Sequence, residues 1–234
     1  RSDSMNMYEI KQSVKAFMQE NGKVAYGLTV IPLLVGLVLS GIGSTIPFFS
    51  LLYAPINLLI MMLVQVTFLA MARKEVFSFE KHIVEHGKEL GGSYIILSIV
   101  STLYISLWTL LFFIPGIVKT YAYSLAPFIQ HDNPNLTANE VLKESIRLTD
   151  GKKGQLFWLY LRYYAGVLVS LGMTYVFGMI AILAGFATDS AEISIGLFLL
   201  VGIFSAIATI AFSIRATPRW HAALSFIYEE SLKD

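Results

Sequence analysis

The chain has 234 residues, 56% hydrophobic and only 14% charged, with a formal net charge of +1. Soluble domains carry roughly a quarter charged residues, so this composition excludes an ordinary water-soluble enzyme and predicts a lipid-embedded protein. The absence of cysteine removes disulfide frameworks, thiolate metal sites and cysteine nucleophiles, and the near-neutral charge leaves no footprint for nucleic acid.

Arg1 to Ser4 read as a remnant ahead of a natural start at Met5. Ile10, Val14, Phe17 and Met18 recur at helical spacing and predict an amphipathic helix. From Val24 to Ala72 there is no Asp, Glu, Lys or Arg, room for two spans of about 20 residues with a turn near Gly41 to Pro47. The first span is long enough to stay as an anchor rather than act as a cleaved signal. Phe79 and Ile83 mark a second amphipathic segment.

The uncharged run Leu90 to Val118 leads through Ile114-Pro115-Gly116-Ile117 into Thr120 to Gln130. The proline and glycine there predict a helix break that reverses the chain into a second hairpin. Thr137 with Glu140 forms a capping-box pattern, starting a helix with Val141, Leu142, Ser145 and Leu148 on one face and ended by Asp150-Gly151. A third pair of spans, Gln155 to about Ala187 and Ile193 to Ile214, flanks Thr188-Asp189-Ser190-Ala191-Glu192. Within it, Gly166, Ser170, Thr174 and Gly178 form a smooth stripe for close helix approach, inside the bundle or at a dimer seam. Thr217-Pro218 signals a last amphipathic helix, 217–231, with Trp220, Leu224, Ile227 and Tyr228 on one face.

The expectation is an all-α polytopic membrane protein: a single domain, 5–234, with six transmembrane helices in three hairpins and short amphipathic helices on the cytoplasmic side. Gly22-Lys23, Gly87-Lys88 and Gly151-Lys152 recur at about 65-residue spacing and suggest three repeats, about 5–70, 71–134 and 135–214. Ile46-Pro47 and Ile114-Pro115 mark the first two outer turns. Lys11, Lys15 and Lys23, then Arg73 to Lys88, Lys143 to Lys153, and Arg215 to Lys233 fall on one side, which makes both termini cytoplasmic. The Asn135-Leu136-Thr137 sequon then lies on the wrong side for glycosylation.

Lys119 and Arg162 are the basic residues outside those cytoplasmic segments, and no span carries a carboxylate to pair with them. Each either faces a cavity, where a cation suits a phosphate or other anionic headgroup, or snorkels to an interface. His82-Ile83-Val84-Glu85-His86 matches the H-x-x-E-H zinc-peptidase pattern, but no third ligand accompanies it, so a solvated or interfacial segment is expected. Trp108, Trp158, Tyr160, Tyr163 and Tyr164 suit an interfacial belt. With no Walker loop, dinucleotide fingerprint or G-x-S-x-G elbow, no cofactor is expected.

The stretch Trp108 to Lys119, continuing through Tyr121-Ala122-Tyr123-Ser124 and Pro127, resembles the bacterial integral-membrane family called domain of unknown function 975. Asp132-Asn133-Pro134, Glu140, Ser145 and Gly151 extend that resemblance. It implies a polytopic fold in a bacterial plasma membrane and places Lys119 in a family motif, but supplies no reaction. The functional expectation is a non-enzymatic protein that binds or moves an anionic lipid or amphiphile, with Pro115, Gly116, Lys119 and Arg162 as ligand-binding residues. Membrane lipids are then the partners. The competing expectation is an accessory or protective protein of a membrane or envelope complex, meeting a protein partner through its cytoplasmic helices.

Overall fold

The computed structural model describes residues 7–45, 49–188 and 190–233, and every regular element among them is helical. The order is α1 (Met7–Thr45), α2 (Phe49–Ala72), a π-helical turn (Glu80–Glu85), α3 (His86–Leu111), α4 (Phe113–Ala122), α5 (Ala126–Asp132), α6 (Ala138–Leu148), α7 (Lys153–Thr188) and α8 (Ala191–Ser231). Met7–Val38, Glu80–Leu111, Lys153–Thr188 and Ile195–Ser231 are long and apolar enough to cross a membrane by length and composition, and Ile56–Ala72 is a shorter apolar helical stretch.

The amphipathic segments at either end are not separate helices. α1 runs unbroken from Met7, because the lone Gly22 costs about 1 kcal/mol and does not end a helix. α8 continues through Pro218, since one proline removes a single helical hydrogen bond, a loss that a long helix can tolerate. Phe79 and Ile83 flank and enter the π-turn that feeds α3. Only α6 stands alone as expected, its capping box formed by Thr137 and Glu140 in both directions. Gly151 takes the left-handed conformation at φ +70° after it. Lys74 does the same at φ 66°, and Glu75 N–H to Ala70 O with Lys74 N–H to Met71 O closes α2 in a Schellman motif.

The second reversal also sits elsewhere than expected. Phe112 alone is extended, at φ −154° and ψ 126°, whereas Pro115 and Gly116 lie in the first turn of α4. Proline is tolerated there because the first helical N–H groups have no intrahelical partner. Gly116 serves packing: a Cβ on it would collide with the side chain and Cα of Thr109 on α3. The first reversal, expected near Gly41 to Pro47, lies partly outside the described residues, with α1 still helical at Thr45. Residues 1–4 and 189 lie outside them too.

The chain divides into two compact units, Arg1–Phe157 with Pro218–Asp234, and Trp158–Thr217. In the first, the faces read from the sequence are buried: Ile10, Val14 and Phe17 of α1, Val141, Leu142, Ser145 and Leu148 of α6, and Trp220, Leu224, Ile227 and Tyr228 of α8. Phe17 packs on Phe68 and Phe226, Phe68 on His221, and Phe128 on Tyr228. The α1 and α8 faces therefore meet each other and α2, while α6 packs on α3 and α5, which removes their apolar stripes from water.

The second unit pairs α7 and α8 along the small-residue stripe. Ser170 hydrogen-bonds Thr209 at 2.9 Å, Thr174 meets Ser205, Gly166 sits against Phe212 and Gly178 beside Phe198. The stripe is thus used within the chain. Outside that seam, Leu171, Val176, Leu183, Leu200 and Phe204 are exposed, the all-round apolarity of helices suited to lipid.

Replacing Gly116 with leucine is expected to destabilise the α3–α4 hairpin by about 1–3 kcal/mol through overpacking against Thr109. Leucine at Gly92, where a Cβ meets nothing within 4 Å, should change little. Denaturant unfolding in detergent compares the two variants.

Candidate functional site

An apolar cavity of about 350 Å³ opens in the first unit, against α1, α2 and the π-turn. α1 supplies Val24, Gly27, Leu28, Ile31, Pro32 and Val35; α2 supplies Ile60, Leu63 and Val64. Phe77 and Phe79 from the connection, with Ile83 of the π-turn, close one side. Gly27 makes the space, since its missing side chain would point where nothing lies within 4 Å. The volume falls in the range of small-molecule sites, and the lining suits hydrocarbon. Lys23, one residue from Val24, is exposed. Lys81 lies just beyond Phe79 and bonds Glu75 at 2.7 Å.

Behind the cavity wall lies a row of histidines. His82 is 1% exposed, stacks on Phe77 with centroids 6.0 Å apart, and meets the edge of His86 at 5.9 Å. His86 in turn meets His131 at 4.8 Å. Of the segment expected to be solvated or interfacial, His82 itself is buried, under Phe77 and α3, whereas Glu80, Lys81 and Glu85 are exposed. Glu85, the catalytic position of the zinc pattern, is exposed. Among the described residues no group of three or more His, Cys, Asp or Glu side chains is placed to hold a metal.

The row ends at Asp132, the centre of an ion-pair knot. Arg73 donates two parallel hydrogen bonds to Asp132, 2.8 and 2.6 Å long, and its Nε donates to Glu229 at 2.7 Å. The Tyr228 hydroxyl donates to Asp132 at 2.9 Å, and His131 Nδ1 lies 3.0 Å away. Burial alone would raise the Asp132 carboxyl, but hydrogen bonds from Arg73, His131 and Tyr228 outweigh it and hold the group well below the usual carboxylate range. Arg73 is raised, chiefly by its bond to Asp132.

Lys119 and Arg162 fall in different units. The Lys119 ammonium lies 5.4 Å from the Trp108 ring centroid and 5.7 Å from that of Tyr123, so aromatic faces satisfy its charge. Arg162 is exposed on α7. Pro115 and Gly116 shape the hairpin that presents Lys119. The cavity and the knot were missed in the sequence; the isolated Gly27 within an apolar helix was the available signal for the first, and nothing local marks Arg73 as the partner of Asp132.

No family model matches the chain, and no curated protein or solved structure matches it.

Because the Asp132 carboxyl is depressed, its contribution to stability is complete above about pH 4 and is lost as pH falls through the lower folded value. Asp132→Asn is expected to cost about 1.5–3 kcal/mol at pH 7, a difference that shrinks in strong acid. Unfolding titrations at pH 7 and pH 3 measure both.

Proposed function

We propose that the chain is a non-enzymatic bacterial plasma-membrane protein that binds or moves an anionic lipid or amphiphile, holding a hydrocarbon chain in the α1–α2 cavity. The observation that carries this reading is a cavity of about 350 Å³ whose lining residues are all apolar, a lining that suits hydrocarbon, with exposed Lys23 next in sequence to the lining residue Val24. Six spans with both termini cytoplasmic agree with the basic-residue bias, α2 being 24 residues long and α4 with α5 as far as Gln130 acting as a broken fourth span. The resemblance to domain of unknown function 975 supports the bacterial setting. It also retains Lys119 as a second anionic-headgroup contact, held between two aromatic rings. An accessory role through cytoplasmic helices has less support, because the apolar faces of α1, α6 and α8 are already buried.

Native mass spectrometry of gently extracted protein tests the site. Wild type is expected to retain an anionic lipid, and Gly27→Leu, whose Cβ enters open space on the cavity lining, to lose it at least tenfold. Lys119→Gln should weaken retention by less than Gly27→Leu does. Loss in Lys119→Gln but not in Gly27→Leu would move the site to α4.

A further inference from the structure

The α1 lining of the cavity is one lengthwise stripe. Val24, Gly27, Leu28, Ile31, Pro32 and Val35 recur at helical spacing, so they share a single face of α1 and the cavity runs along the helix. From Val24 to Val35 the stripe is about 17 Å long at the α-helical rise per residue. The hydrocarbon of one leaflet is about 15 Å deep, so the stripe matches one acyl chain in length. Spread over that length, the cavity volume of about 350 Å³ leaves a mean cross-section of about 20 Å². That is the width of one extended hydrocarbon chain, and half of what two chains need.

Charge flanks the lining at one end only. Phe17 packs on Phe68, which sets the start of α1 beside the end of α2. Phe77 and Phe79 follow that end of α2, so Val24 is the α1 lining residue on their side. Lys23 precedes Val24, and Glu80 and Lys81 follow Phe79, all three exposed. In the other direction no Asp, Glu, Lys or Arg occurs from Val24 to Ala72, so the Val35 end of the lining is uncharged. An amphiphile keeps its polar head where water and counter-charge are, and its tail runs the other way.

We infer that the ligand is a single-chain amphiphile, its head at the Phe77–Phe79 end and its one tail, about 14 carbons long, extended along α1 toward Val35. The tail length follows from the stripe, because a fully extended chain of single bonds advances about 1.2 Å per bond. A shorter tail leaves part of the lining without contacts, and a longer one runs past the stripe. A second tail on the same head has no room beside the first, which separates this ligand from a two-chain bilayer lipid. Ile31 lies partway along the stripe and is exposed, so a larger ring there disturbs no packed core. Such a ring shortens the usable stripe to about 10 Å.

This inference rests on the cavity being a lipid site, and one mixture separates the two claims. Native mass spectrometry is run on protein in a steroid-based detergent, whose rigid rings are too wide to enter the cavity. The protein is offered equal amounts of lysophosphatidylglycerols with 10-, 14- and 18-carbon tails and of dimyristoyl phosphatidylglycerol. Wild type is expected to retain the 14-carbon single-chain lipid about fivefold over each of the others. Ile31→Trp is expected to move the preference to the 10-carbon tail. Leu34→Trp, at an exposed position off the lining stripe, is expected to leave it unchanged. Retention of the dimyristoyl lipid equal to or above that of its single-chain counterpart, and lost in Gly27→Leu, would overturn the single chain and leave the lipid site standing. Tails retained without regard to length, or a preference that Ile31→Trp does not move, would overturn the placement of the tail along α1. Retention of none of the four would overturn the lipid site as well.

Discussion

The fold of the first unit depends on one carboxylate. Asp132 ends a helix of only seven residues, too short to hold itself in place, yet it gathers Arg73 from the end of α2, Tyr228 from α8 and, through Arg73, Glu229. The two parallel bonds from Arg73 fix direction as well as distance. That matters because apolar contacts among spans do not choose a register strongly when the surrounding lipid is equally apolar. A polar knot at one end supplies the register that the spans lack.

Around the knot the apolar faces follow the same logic. Phe17, Phe68, His221 and Phe226 form an aromatic cluster joining α1, α2 and α8. Ser145 and Thr149 of α6 donate to the Ala122 carbonyl, one of the last carbonyls of α4, which a helix end leaves without an intrahelical partner. Burial is therefore concentrated at the basic end of the chain. Away from it, side chains such as Leu107, Leu110 and Ile114 stay exposed, as lipid-facing positions do.

Much of this was legible in the sequence, and the parts that were not share a cause. The buried faces of α1, α6 and α8, the capping box and the Gly166–Gly178 stripe were all read from spacing, because each is a property of one helix. Continuity through Gly22 and Pro218 was not legible, since punctuating residues give odds that neighbouring contacts override. Pro115-Gly116 illustrates this: the pair does mark the reversal, but the break falls at Phe112, and the glycine is needed where α4 presses on Thr109. The Arg73–Asp132 pair joins residues 59 apart, and no single-sequence pattern encodes that distance. His82 was noticed for a metal pattern, while its position behind Phe77 came only from the fold.

The contrast between Lys119 and His82 shows how a site can be told from a suggestive residue. Lys119 drew attention as a lone charge, and the fold brings the Trp108 and Tyr123 rings to its ammonium. His82 is a neutral-capable group with unequal neighbours: a backbone donor on one nitrogen, a carboxylate near the other, and a cavity wall stacked on its ring. Stacked on Phe77, the residue noticed for a metal pattern is a support of the cavity wall. A lone charge and a histidine motif are alike in this respect: the neighbours that the fold brings to each decide what the residue does, and neither set of neighbours is encoded beside it in the sequence.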